Sequence, residues 1–286
     1  MNYNHSFHAG SFCDVFKHSV LIVLIQALLR KPNPFCYIDT HAGPGSYDLF
    51  SEEAQKTKES ASGISRLFQE KILPTALQTY LSCVQQTNNR LTHSICSSLR
   101  YYPGSPDIVY SFLRKFDRMI LSELHPRENA LLKTHFTFQK KVTVQLMDGY
   151  QSLKAYLPPK ERRGLILIDP PFERPNEFST IIDSLRLALM RFATGIYAIW
   201  YPIKNRAIVE QFYQDMKTLL KLKNHTACIL ELTIYPESDA LLSGSGMIII
   251  NPPWQFESQL NDFLPFLWKI FSPHGDGHYL CQILTN

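Results

Sequence analysis

Gly164-Leu-Ile-Leu-Ile-Asp169-Pro170-Pro171-Phe172 joins an unbroken apolar run to an acid, two prolines and an aromatic. An apolar run without alternation reads as a strand buried on both faces, the kind found in a parallel sheet covered by helices. The prolines end it. Each fixes φ near −65° and has no N–H, so the backbone beyond the strand keeps its carbonyls free to accept hydrogen bonds. Asp169 and the Pro170 carbonyl can then take both hydrogens of an exocyclic amine. Phe172 offers a flat face to an unstacked base, a contact worth about 1–3 kcal/mol. The same four residues also describe a plain strand stop, so their context decides. A second copy, Met247-Ile-Ile-Ile-Asn251-Pro252-Pro253-Trp254, sharpens that question.

Outward from this stretch, strand and helix patterns alternate, which is the signature of a parallel sheet with helices on both faces. Strands are expected at 35–39, 118–123, 141–146, 164–168, 195–200, 228–235 and 247–250. Helices are expected at 106–115, 127–136, 150–156, 177–190 and 205–220. About 80 residues separate the first two strands, where a βαβ unit takes about 30. The stretch 51–99, with helical patterns at 64–68 and 76–84, therefore reads as a small inserted helical subdomain. The main domain is 1–50 together with 100–286. Only a Gly/Ser loop joins the last two strands, too short for a crossover helix, so they pair antiparallel. Seven strands with the last reversed is the arrangement of Rossmann-like, class I S-adenosylmethionine-dependent methyltransferases.

Strand one leads into Asp39-Thr40-His41-Ala42-Gly43-Pro44-Gly45, whose glycines let backbone approach a ligand at the carboxyl edge of the sheet. The turn is not G-x-G-x-x-G, and no basic pocket awaits a pyrophosphate. A nucleoside without phosphates, such as S-adenosylmethionine, fits better than a nicotinamide cofactor. Glu123 closes strand two, where a carboxylate can grip two ribose hydroxyls. Asp148-Gly149 closes strand three, where the acid can accept from the cofactor's adenine amine. Each acid alone could equally cap a helix. Together with Asp169 they open onto one rim, where open α/β sheets bind ligands. Asn251 closes the reversed strand and should emerge at the opposite rim, so Asn251–Trp254 is expected to be a structural stop with Trp254 packed.

The bulk numbers fit one globular α/β domain: 286 residues, 45% hydrophobic, net charge +4. That mild excess permits a nucleic-acid partner without requiring one. Six cysteines without a C-x-x-C pair suggest neither a zinc ribbon nor a disulfide framework and fit reduced thiols in a cytoplasm. The apolar run 20–29 is far short of the roughly 20 residues that span a bilayer and reads as a buried helix. No signal peptide or membrane association is expected. His5-x-x-His8 with Cys13 matches no familiar zinc spacing, so no metal is expected. Lys17 and His18 precede the apolar run and could face either a cofactor or a phosphate. Lys154, Lys160, Arg162, Arg163 and the insertion are the candidates for RNA phosphate contacts.

The segments Tyr3-x-His-x-Phe-His-Ala-Gly10, Lys17-His18, Tyr37-x-Asp-Thr-His-Ala-Gly43, Tyr101-Tyr-Pro-Gly-Ser105, Glu123-Leu-His-Pro126, Asp148-Gly149, Arg162 to Pro171 and Ser245 to Trp254 together resemble the RlmJ family. Those are bacterial 23S ribosomal RNA adenine-N6 methyltransferases. The resemblance covers nearly the whole chain. It implies S-adenosylmethionine as methyl donor, S-adenosylhomocysteine as product, and 23S rRNA as partner, with adenine 2030 the target. It places His18, His41, Ser105, Glu123, Asp148, Gly149 and Asp169 at the cofactor and catalytic site beside Gly43, with Tyr3 near the entering base. Asp169, Pro170 and Phe172 would hold that base, with Lys17 beside the RNA. The family usually has Tyr where Phe172 stands, which leaves stacking intact and removes a hydroxyl. A monomer without an obligate protein partner is expected. A guanine-N2 rRNA methyltransferase, a DNA adenine methyltransferase and a non-catalytic RNA-binding module are the alternatives.

Overall fold

A computed structural model describes residues 4–94, 98–223, 225–236, 242–272 and 274–284. The strands are β1 (Cys36–Asp39), β2 (Ser46–Asp48), β3 (Tyr101–Pro103), β4 (Arg118–Glu123), β5 (Val142–Leu146), β6 (Gly164–Ile168), β7 (Ile196–Ile203), β8 (Ala227–Thr233), β9 (Gly244–Ile250) and β10 (Tyr279–Leu284). Eight of them form one sheet in the order β10-β8-β9-β7-β6-β1-β4-β5, and β2 pairs with β3 apart from it. β1, β4, β5, β6 and β7 pair parallel, while β9 runs antiparallel to both β7 and β8. The fold is that of the class I methyltransferases, with one strand more than the seven expected. The extra strand, β10, is a half-exposed edge that follows two short helices, so its sequence lacks the apolar run that marks the others.

β6 shows why the central run is apolar throughout. Leu165 and Leu167 enter the core on one face of the sheet, and Ile166 and Ile168 enter the core on the other. Helix α1 (Phe12–Leu29) fills the first core. It starts eight residues before the apolar run, capped by the Ser11 hydroxyl accepting from Asp14 N. By length and composition it could cross a bilayer, but 78% of it is buried inside the fold. Its apolar residues surround it nearly completely because the sheet lies on one side and helix Thr75–Thr92 on another. Helices Glu52–Thr57, Glu59–Ser62, Ile64–Phe68 and Thr75–Thr92 lie between β2 and β3. The thiols of Cys13, Cys36, Cys83, Cys228 and Cys281 are free, and Cys96 lies outside the described residues.

One expectation about a surface residue needs correction. Trp254 is 78% exposed, not packed. Its neighbour Asn251 does what a strand stop requires: Nδ2 donates to the Ala193 and Gly195 carbonyls at 2.8 and 2.7 Å. Arg162 and Arg163 stand where β6 begins, at the rim opposite Asp169, and Lys160 precedes them on the same loop. Arg163 donates to the Asn33 carbonyl at 2.7 Å and to the Leu28 carbonyl, closing the end of α1. None of these cations lines the cavity that holds Asp169.

Candidate active site

A cavity of about 900 Å³ opens at the carboxyl ends of β1, β4, β6 and β7. Asp169, Pro170, Phe172, His18, His41, Gly43, Ser105, Glu123, Asp148 and Gly149 all line it, as does Lys17. The sequence therefore brought these residues to one place. Tyr3 lies outside the described residues. Asn251 does not line the cavity.

The turn after β1 is built by its acids. Glu123 accepts from Gly43 N through Oε2 at 2.8 Å and from His125 N through Oε1 at 2.7 Å. Burial pushes its carboxyl above the usual range, while those two N–H donors pull the other way. Gly43 has φ +61°, which favours glycine, and a Cβ there would sit 2.5 Å from the Tyr47 hydroxyl and displace that ring. Gly149 is equally constrained, since its Cβ would meet the Thr40 carbonyl at 2.2 Å. Asp148 caps helix Gly149–Tyr156 through Oδ1, which accepts from Tyr150 N and Gln151 N at 2.9 and 3.1 Å. Beneath the floor, Asp39 Oδ2 accepts from the Tyr37 and Ser105 hydroxyls, both at 2.7 Å. Its burial raises the carboxyl to about 6.

Two of the histidines of the lining, His18 and His41, are held neutral. His18 is 2% exposed, with Nδ1 2.8 Å from the Tyr102 hydroxyl, and burial lowers it to about 3. His41 Nδ1 lies 2.8 Å from Thr40 Oγ1, and burial lowers this ring to about 4. Because Thr40 Oγ1 donates to the Leu167 carbonyl at 3.0 Å, it accepts from Nδ1–H, which leaves Nε2 as the ring's acceptor.

Asp169 is reached from α1. Lys17 Nζ stands 2.6 Å from Asp169 Oδ2 and 3.0 Å from Asp14 Oδ1. Asp14 in turn accepts from Gly10 N at 3.0 Å, and His5 Nε2 lies 3.1 and 3.0 Å from its two oxygens. Burial opposes both charges, but Asp169 and Asp14 lift Lys17 above the usual lysine range, and His5 and Lys17 hold Asp14 well below the usual carboxylate range. Lys17 is therefore engaged by carboxylates and does not reach out to a phosphate. Asp14 stands in the polar N-terminal cluster of the sequence but was assigned no role there. Its signal was the spacing of Asp14, Lys17 and His18 at i, i+3 and i+4, which puts all three on one face of α1.

Phe172, at φ +50°, packs at 4.9 Å against Phe178 and edge-on at 5.8 Å against Trp200. The lining holds eight carboxylates, Asp14, Glu59, Glu123, Glu128, Asp148, Asp169, Glu173 and Glu177, against Lys17, Arg174 and Lys204. Such a field draws a cationic ligand. Among the described residues no group of three or more His, Cys, Asp or Glu could hold a metal.

Residues 32–285 match the family described as ribosomal RNA large subunit methyltransferase D, RlmJ. The chain belongs to the RlmJ family. A relative from Escherichia coli (strain K12), named ribosomal RNA large subunit methyltransferase J, is 43% identical over 281 residues, covering 97% of this chain and 96% of its own. One of the same name from Haemophilus influenzae is 40% identical over 291 residues, covering 100% and 99%. A crystal structure of a Legionella pneumophila protein shares 38% identity at a TM-score of 0.85, covering 96% of this chain and 97% of that one. In this RlmJ member the aromatic after the two prolines is Phe172, and Trp200 and Lys204 of the same cavity wall were not singled out from the sequence.

Proposed function

We propose that this chain transfers a methyl group from S-adenosylmethionine to the N6 amine of one adenine in 23S rRNA, adenine 2030 by family resemblance. The observation that carries the reading is the placement of Asp169. It stands in one cavity with the Gly43 turn, Glu123 and Asp148, and only its Oδ2 is taken by Lys17.

The residues fit the cofactor. Each carboxylate oxygen of Glu123 accepts one backbone N–H and retains a second lone pair for a ribose hydroxyl. Asp148 Oδ2 remains for an adenine amine once Oδ1 has capped its helix. The acid-rich lining suits a nucleoside that carries a sulfonium and an ammonium. When bound, that cofactor supplies an electrophilic methyl group.

The chain's own part is to hold the nucleophile. An adenine amine is weakly nucleophilic because its lone pair is delocalised into the ring. Asp169 Oδ1 and the Pro170 carbonyl accept its two hydrogens and favour density on nitrogen as the nitrogen–methyl bond replaces the methyl–sulfur bond. With S-adenosylhomocysteine as the leaving group, the amine gives up one proton, for which Asp169 Oδ1 is an acceptor already hydrogen-bonded to it. Lys17 keeps the carboxylate in one orientation, so Oδ1 stays aimed at the amine. Holding two reactants in line contributes up to about 7–11 kcal/mol. Phe172 supplies the stacking face. It does so without a hydroxyl, so no polar contact from this ring is required.

The test is transfer of labelled methyl to unmodified 23S RNA, followed by digestion to nucleosides. N6-methyladenosine is expected. N2-methylguanosine would overturn the base assignment, and an unlabelled RNA beside a labelled DNA would overturn the substrate.

A further inference from the structure

We infer that the wall formed by Trp200, Pro202 and Lys204 of β7 and the loop beyond it is the seat of the target nucleotide, with the Lys204 ammonium binding its phosphate. This rests on the flipped-base reading above.

The register supplies the geometry. Ile168 of β6 stands opposite Ile199 of β7, so the next residues, Asp169 and Trp200, are level. Side chains alternate along a strand, and Trp200, Pro202 and Lys204 all line the cavity while Tyr201 and Ile203 enter the core behind it. At about 3.3 Å per residue, Lys204 lies roughly 13 Å beyond the level of Asp169, toward solvent. That is the order of the reach from an adenine amine across a ribose to its phosphate. The chemistry changes along the strip in the same order. Trp200 is half-buried and fixed by its Nε1 donating to Ser245 Oγ at 2.7 Å, which presents a rigid apolar wall at base level. Pro202 is half-buried above it, and Lys204 is exposed.

Charge points the same way. A polyanion entering a cavity with eight carboxylates meets repulsion, and Lys17 is already engaged by two of them. Arg174 and Lys204 have no ion-pair partner among the described residues. Arg174 exerts its field on His41 and Tyr150, at the end where the cofactor's adenine is expected. Lys204 is thus the lining cation left for the base end, where a phosphate contact would fix the register of the RNA without reading its sequence.

The experiment measures binding and methylation of an unmodified 23S RNA transcript across a salt series, with cofactor affinity by calorimetry. Lys204→Ala should raise KM for RNA about tenfold, the loss of one charge-assisted hydrogen bond, and leave cofactor affinity at the parental value. The slope of log K against log salt should fall in magnitude by about 0.7–0.9. Lys204→Arg should restore both. Trp200→Leu should raise KM while keeping the parental slope, and Lys160→Ala, at the far rim, should change neither. A Lys204→Ala protein with the parental slope and KM overturns the inference. A parent that binds RNA but leaves it unlabelled instead refutes the methyl-transfer reading, so the two failures are told apart.

Discussion

Replacing Lys17 by methionine keeps most of the side chain's length and its apolar stem and removes the ammonium. That ammonium joins Asp14 at 3.0 Å and Asp169 at 2.6 Å, with the Lys17 and Asp14 side chains 6% and 1% exposed. Removing one partner of a buried ion pair strands the other, at a cost of about 3–5 kcal/mol. His5 still contacts both Asp14 oxygens, so the loss should fall at the lower end, about 3 kcal/mol. Urea unfolding at pH 7 reads this as a lower midpoint at unchanged slope. Adding Asp14→Asn should return much of the stability, because the stranded charge is gone. Methyl transfer should stay low in both variants, since Asp169 has lost the group that orients Oδ2. The pH dependence has a definite sign. Asp14 is depressed in the fold, so its stabilisation is present above its unfolded value near 3.9 and disappears as pH falls through the depressed one. Lys17 is raised, so its contribution is present below its unfolded value near 10.4 and disappears only as pH climbs through the higher one. The deficit should therefore be flat between about pH 5 and 9. A Lys17→Met protein with parental stability and parental transfer refutes the reasoning.

His18 has the same sign in acid but acts at higher pH: a buried ring lowered from 6.5 to about 3 stabilises fully above 6.5 and loses that contribution as pH falls toward 3. Between pH 7 and 5 this amounts to about 2 kcal/mol, which His18→Asn should remove from the urea-measured difference; equal differences in parent and variant would show that the ring is not held neutral. For Glu123→Gln, an amide cannot accept from both Gly43 N and His125 N, so calorimetry should show S-adenosylmethionine binding weakened about tenfold or more. Unchanged affinity would remove Glu123 from the cofactor site.

Much of this site is legible in the sequence because each residue closes a strand, and strand ends of a parallel sheet share one rim. Gly43, Glu123, Asp148 and Asp169 needed only strand order to be brought together. Choosing Asp169 over Asn251 needed only strand direction, since β9 is reversed. The misses have physical causes. α1 extends beyond its apolar run because Ser11 caps it, and that earlier start is what brings Lys17 to Asp169, with Asp14 pairing to the same ammonium. Arg162 and Arg163 stand at the far rim, away from Asp169, because β6 begins there. Trp254 sits outside the core because the chain turns to solvent at the two prolines. β10 was missed because an edge strand need not be apolar on both faces.

The central claim is that Asp169-Pro-Pro-Phe172 does the chemistry and Asn251-Pro-Pro-Trp254 only ends a strand. The most direct measurement is kcat for methyl transfer to 23S RNA in Asp169→Ala and Asn251→Ala side by side, with urea stability of each. Asp169→Ala should lose about a hundred- to a thousandfold in kcat, the usual cost of removing one preorganised polar group from a reacting centre. Asn251→Ala should keep near-parental kcat and lose about 1–3 kcal/mol of stability, since the Ala193 and Gly195 carbonyls lose their donor. Transfer abolished in Asn251→Ala and retained in Asp169→Ala would contradict the assignment.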